Sequence, residues 1–190
     1  MRNVIILGAS GNIAKYVIDI LAKKDDINLT LFLRNKSRLR SNNISGCRIV
    51  EGDVLDYFQL KDAIKGQDIV YANLAGELEA MAKNVVKAMD ETNVKKLIFI
   101  SSINIYDVPL RSVLVPYRKA ADVIEASDLE YTILRPTWFT NDDEVDYEIT
   151  RKGEPEKGSV ISKKSLATFI TKIIETPEKY NRENLGINKP

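Results

Sequence analysis

The apolar residues of this 190-residue chain fall into two alternating patterns. Short uninterrupted runs rich in β-branched residues predict strands at Val4–Leu7, Leu29–Leu33, Cys47–Val50, Ile69–Ala72, Leu97–Ser101 and Thr132–Leu134. Between them, Ile13, Val17, Ile20 and Leu21, and later Met81, Val85, Val86 and Met89, recur at helical spacing, so each set lies on one stripe of a helix. Strand and helix in alternation predict a parallel sheet wound on both faces. Runs that are apolar throughout fit strands covered on both sides. The stretch Ser37–Gly46 is polar and has no apolar stripe, so the crossover there is expected to be a loop. From Ser165 to Glu175, Leu166, Phe169, Ile170 and Ile173 predict a last helix stopped before Pro177, with Ile187 in a short terminal strand. No repeat, low-complexity tract or linker interrupts the chain, which points to one α/β domain over residues 1–190.

Composition narrows the chemistry. Apolar residues make up 44% and charged ones 29%, the balance of an ordinary globular domain. With 28 basic against 27 acidic side chains, no broad positive field exists to hold nucleic acid, so such a partner is not expected. There is no histidine and Cys47 is the only cysteine, which removes disulfides, Cys or His zinc sites and every triad with an imidazole base. The first apolar run, Val4–Leu7, is too short for a signal-peptide core or a membrane span. The expected location is the cytoplasm, with no membrane partner.

The clearest chemical signal lies where the first strand hands over to the first helix, in Gly8-Ala9-Ser10-Gly11-Asn12-Ile13-Ala14. Gly8 permits a tight turn, Gly11 lets backbone amides approach a pyrophosphate, and small Ala14 lets helix and strand pack closely. The helix N-terminus adds free donors and a positive dipole, making Gly8, Ser10, Gly11, Asn12 and Ile13 candidate contacts to a dinucleotide. At the end of the second strand stands Arg34, where an acid would bind a ribose 2′-hydroxyl and an arginine a 2′-phosphate. With Asn35 and Arg38 beside it, and Lys36 and Arg40 adding positive potential, the expected cofactor is NADP(H) in preference to NAD(H). The other reading of these residues is a solvated basic loop.

Two further strand ends contribute. In Gly52-Asp53-Val54-Leu55-Asp56, Asp53 reads either as an acceptor for the adenine amino group, with Val54 against the base, or as the cap of the following helix. After the fourth strand, Asn73, Leu74 and Ala75 lead to Gly76 and would let the chain pass close to a cofactor ribose; Gly76 also reads as a plain turn.

These residues resemble the atypical short-chain dehydrogenase/reductases, specifically the NmrA-like NAD(P)H-binding proteins. The resemblance rests on the Gly8–Ala14 turn, Gly52–Asp56, Ser101-Ser-Ile-Asn-Ile-Tyr106, Tyr131-Thr-Ile-Leu-Arg-Pro136 and Val160–Ser165. It implies a Rossmann-type doubly wound parallel sheet, a bound nicotinamide dinucleotide reached also by Ser101 and Pro136, and either reductase activity or ligand sensing without turnover. Residues 137–190 would build a small substrate-side lobe, too small for a bulky sugar nucleotide.

The family's catalytic set is a Ser with a Tyr-x-x-x-Lys pair, and the carry-over is incomplete. The serine maps onto Ser102. The run Arg118-Lys-Ala-Ala-Asp122 puts Arg118 where the lysine belongs, making Ser102 and Arg118 the candidate catalytic residues. Four residues earlier stands Leu114, which cannot deliver a proton. Tyr117 would point away from Arg118 on a helix, and the direction of Tyr106 is open. The literal Tyr57-x-x-x-Lys61 opens the helix after the third strand and reads as a solvated pair. Hydride passing between stacked rings needs no such tyrosine, so flavins and quinones stay open as acceptors.

In the C-terminal part, Trp138 reads either as the wall of an apolar pocket or as a closure of the core. Asp142, Asp143, Glu144, Asp146 and Glu148 read as a solvated loop, with no metal expected. The expected function is NADPH-dependent reduction of a small carbonyl, quinone or flavin-like acceptor. The alternative is a dinucleotide-sensing regulatory module without chemistry. A sugar-nucleotide epimerase would need the missing tyrosine.

Overall fold

In the computed structural model, which describes residues 1–190, the chain runs β1 (Arg2–Leu7), α1 (Asn12–Leu21), β2 (Ile27–Leu33), β3 (Arg48–Glu51), α2 (Tyr57–Ile64), β4 (Ile69–Ala72), α3 (Leu78–Glu91) and β5 (Lys96–Ile100). It continues through α4 (Val115–Glu125), β6 (Glu130–Pro136), β7 (Trp138–Thr140), β8 (Glu148–Arg151), β9 (Val160–Ser162), α5 (Lys163–Glu175) and β10 (Glu183–Asn188). Eight strands form one sheet in the order β3-β2-β1-β4-β5-β6-β10-β8. Every neighbouring pair is parallel except β8 with β10. This is the doubly wound Rossmann-type arrangement, whose strand order reverses between β1 and β4.

The continuous apolar runs follow from burial on two faces. Val4 and Ile6 of β1 join the side chains of α1 and α5 in one core, whereas Ile5 and Leu7 join those of α2, α3 and α4 in the other. A strand alternates its side chains between faces, so both sets of positions must be apolar when helices cover both. The helices present single stripes to match: Ile13, Val17 and Leu21 on α1, and Met81, Val85 and Met89 on α3, are all buried.

The loop expected over Ser37–Gly46 is a loop, entered by one 3₁₀ turn at Lys36–Arg38. Ile187 lies in β10 and the last helix ends before Pro177, as the spacing requires. Three strands were not legible: β7 and β9, which form a small parallel pair of their own, and β8 on the sheet edge. Each has only three or four residues, and partners distant in the chain define it.

One buried cation ties the amino edge of the sheet to the turn before β10. Lys96, only 4% exposed, donates from Nζ to Thr132 Oγ1 at 3.0 Å, Asn181 Oδ1 at 2.6 Å and the Lys179 carbonyl at 3.3 Å. Burial penalises its charge more than the nearby Glu130 and Glu178 carboxylates favour it, and its pKa falls to about 8. From about 8 up to the ordinary 10.5, the folded chain has released this proton while the unfolded chain still holds it, so stability contributed here rises with pH. The limit is about 3 kcal/mol. Urea unfolding of the wild type and Lys96→Met at about pH 7 and about pH 10 should show the stability difference moving in favour of the wild type at the higher pH.

Candidate functional site

A cleft of about 170 Å³ opens at the carboxyl edge of the sheet where the strand order reverses. Its floor and walls come from four strand ends: Gly8, Ser10 and Gly11 after β1, Arg34, Asn35 and Arg38 after β2, Asp53 and Val54 after β3, and Asn73, Leu74 and Ala75 after β4. Positions scattered over 68 residues of sequence thus converge, because parallel strands bring their carboxyl ends to one edge.

Both glycines of the turn pack against Asn73, and Gly8 is required by the chain itself. Gly8 has φ +78°, and a Cβ there would collide with the Asn73 carbonyl oxygen; one on Gly11 would collide with the Asn73 side-chain amide. The Gly8 and Ala9 amides both donate to the Phe32 carbonyl, at 3.0 and 3.2 Å, and the Gly11 amide closes the turn onto the Gly8 carbonyl at 2.9 Å. Gly11 then caps α1 in extended conformation without any side-chain acceptor, leaving the helix's first-turn donors facing outward. This is the electrostatic arrangement that favours a phosphate. Asn12 stands on that first turn, its Oδ1 accepting from the Arg40 guanidinium, while the Ile13 side chain points into the core.

Across the cleft, Asn35 caps the 3₁₀ turn: its Oδ1 accepts from the Ser37 amide at 2.9 Å and the Ser37 hydroxyl at 2.7 Å. The turn holds Arg34 and Arg38 on the cleft wall. Between these walls, Asp53 is not the cap of α2; Asp56 is, accepting from the Phe58 and Gln59 amides. Asp53 instead steadies its own loop by accepting from the Leu55 amide at 2.9 Å. Asn84 on α3 pins the same loop by donating to the Val54 and Leu55 carbonyls at 3.0 and 3.2 Å. Gly76, at φ +110°, lies outside the cleft lining.

The remaining candidates lie one and two strands further along the same edge. Ser101, directly after β5, is buried and donates its amide to the Leu134 carbonyl at 2.7 Å, while its hydroxyl has no partner. Pro136 ends β6 and accepts from the Ile103 amide at 3.2 Å, which holds the half-buried Ser102 between the two strand ends. Leu114 closes a 3₁₀ turn at the start of α4 with its side chain buried in the core. Arg118 pairs with Asp122 at 2.8 Å and lies over the Tyr106 ring at 4.6 Å.

The direction of Tyr106 is now plain. Its hydroxyl accepts from Asn184 at 2.7 Å and donates to Glu125 at 3.4 Å, and burial beside the Glu125 carboxylate raises its pKa. It is held as a structural phenol rather than presented as an acid. Tyr57 and Lys61 both bind the Glu91 carboxylate on the outside of α2, as expected for a solvated pair. Trp138 does not close the core: it is 73% exposed on β7. The carboxylates of the loop before β8 and at its first residue are dispersed rather than clustered, with Asp143 on Lys164 and Glu144 on Lys189, and no group of acids that could hold a metal forms.

The NAD(P)H-binding family matches residues 8–177. The chain belongs to that family. Its motifs' resemblance to atypical short-chain dehydrogenase/reductases is thereby borne out. A Rossmann-fold NAD(P)-binding family protein from Shigella flexneri is 50% identical, with a TM-score of 0.94 over 100% of this chain and 94% of that one. A short-chain dehydrogenase/reductase from Veillonella parvula, solved in complex with NADP, is 27% identical, with a TM-score of 0.90 over 100% of this chain and 95% of its own. An isoflavone reductase homolog A622-like protein of Nicotiana tabacum is 25% identical over 94% of this chain, which spans 66% of that relative's length.

The cleft also has lining residues that the sequence reading left out: Phe32, Leu33, Gly52 and Met81. Gly52 was visible in its motif, and its reason is packing, since a Cβ there would press on the Phe32 ring at 2.7 Å. Met81 carried only a core signal, being on the apolar stripe of α3. The glycine geometry gives a test. Gly8→Ala meets both a left-handed backbone and the Asn73 carbonyl and should cost about 3 kcal/mol or more in urea unfolding. Gly46→Ala, at φ +85° in open space, should cost only about 1 kcal/mol.

Proposed function

We propose that this protein binds NADP(H), preferred over NAD(H), in the cleft at the β1–β4 reversal and reduces a small carbonyl, quinone or flavin-like acceptor. The observation that carries the reading is the meeting of an open helix N-terminus with two arginines in one cleft. A Cβ-free cradle at Gly8 and Gly11 fits a pyrophosphate, with Ser10 and the Asn12 and Ile13 amides as further donors. Arg34 and Arg38 fit the extra phosphate of the adenosine ribose, Asn35 orders the turn that carries them, and Asp53 with Val54 fits the adenine. Asn73, Leu74, Ala75, Ser101 and Pro136 would line the path from ribose to nicotinamide. When bound, the reduced nicotinamide supplies a hydride.

The chain's own contribution falls to two groups. The Ser102 hydroxyl donates to the acceptor's carbonyl oxygen and stabilises the charge that develops there. Arg118 provides a cation on the ribose side in the place of the family's lysine. Of residues 137–190, β8, β10 and α5 belong to the main sheet and its core; we read β7, β9 and the segments joining them as the substrate-side lobe of the same domain, and the cytoplasm, where the single free thiol of Cys47 stays reduced, as its compartment. A second reading, dinucleotide sensing without turnover, is favoured by the burial of Leu114 at the family's tyrosine position.

Fluorescence titration tests the binding half: Arg34→Ala should weaken NADPH by about tenfold or more and leave NADH nearly unchanged. An unaltered NADPH/NADH ratio would remove Arg34 from cofactor selection. NADPH oxidation against quinones, flavins and small carbonyls separates the two readings, tight binding without turnover favouring the sensor. Ser102→Ala should lower carbonyl reduction by about tenfold or more.

A further inference from the structure

Arg135, at the penultimate position of β6, is the most deeply buried charge in the molecule, 1% exposed. A guanidinium carries five N–H donors, yet this one makes a single side-chain hydrogen bond, from Nη1 to Asn184 Oδ1 at 3.2 Å. Its charge is met by Glu156, whose Oε1 lies 3.0 Å from Nε. The Nε–H does not point along that line, so the contact is an ion pair without a hydrogen bond. A buried cation served so sparsely is costly unless something else completes it.

Glu156 comes from an irregular segment between β8 and β9. Its second oxygen, Oε2, accepts from the Asn104 amide at 2.9 Å, and Asn104 has φ +66°. One oxygen on a guanidinium and the other on a main-chain amide is how a protein receives a foreign carboxylate. The arrangement borders a cavity of about 480 Å³, lined by Asn104, Tyr106, Arg135 and residues 153–156, and Asn104 lies two residues beyond Ser102.

Local charge agrees with this role. The other two cations facing the Tyr106 ring already have their own acids, Arg118 with Asp122 at 2.8 Å and Lys152 with Glu125 at 2.7 Å. Glu154, also in the lining, has one carboxylate oxygen engaged by the Arg151 amide at 2.7 Å, and Asp107 stands exposed. Withdrawal of Glu156 therefore leaves Arg135 as the one uncompensated buried charge at this cavity, which a single carboxylate neutralises.

We propose that the cavity beside Arg135 anchors a carboxylate group of the substrate, with Arg135 and the Asn104 amide as its receptors and Glu156 as an internal occupant that the substrate acid displaces. The word substrate rests on the reductase reading; the anion site does not. Calorimetric titration of the full chain with benzoate and with benzamide tests it, NADPH being titrated into the same preparations. Glu156→Gln should bind benzoate at least tenfold more tightly than the wild type and should not bind benzamide measurably, and benzoate should raise its melting temperature. The double variant Arg135→Met, Glu156→Gln removes both charges, so no lone buried ion is left, and it should fold and bind no benzoate. Equal benzoate affinity in wild type and Glu156→Gln, no binding in either, or equal binding of benzamide would overturn the site and leave a structural ion pair. Normal NADPH binding alongside such a result would leave the proposed cofactor role standing. A benzoate response without NADPH binding would do the reverse.

Discussion

The approach of the first turn to the end of β4 is the constraint on which the functional edge depends. Gly8 lies so close to the Asn73 backbone that it has no room for a Cβ, Gly11 abuts the Asn73 side-chain amide, and the turn is anchored from its other side by the Phe32 carbonyl of β2. That three-way contact aims the N-terminus of α1 into the reversal between β1 and β4 and brings the Arg34–Arg38 segment opposite it. Gly8 is thus demanded by the packing and backbone geometry of the chain itself. The cradle exists in the chain independently of any ligand.

Along the carboxyl edge the character of the site changes. At the β1–β4 end it is made of backbone amides, small residues and exposed arginines. At the β5–β6 end it is made of packed polar side chains. There Tyr106, Glu125, Asn184, Lys152 and Arg118 bond or stack on one another, and the Glu125 carboxylate, pushed up by burial, is pulled below its ordinary pKa by Lys152 and Asn184. Leu114, at the position of the family's tyrosine, is buried in the core and offers no proton there.

The sheet and the residues lining the cleft at the β1–β4 reversal were legible from the chain alone for a shared reason. A parallel strand buried on both faces must be apolar at every position, as Val4 to Leu7 are, and a helix covering it must carry one stripe, so the periodicity is written locally. The signal at Gly8 is local too, because a left-handed φ belongs to a single residue. The Asp53 question was settled only in three dimensions. Which acid caps α2 depends on where the helix begins, and it begins one residue after Asp56.

The sequence by itself determined the alternation of elements, the glycine turn after β1, the basic segment after β2 and the loss of the family's tyrosine, since each is carried by neighbouring residues. Only the tertiary structure decided where Tyr106 points, that Trp138 stands exposed, that β8 closes the sheet against β10, and that Glu156 reaches Arg135. These outcomes join residues far apart in the chain through contacts of a few ångströms, and no pattern among sequence neighbours encodes such distances.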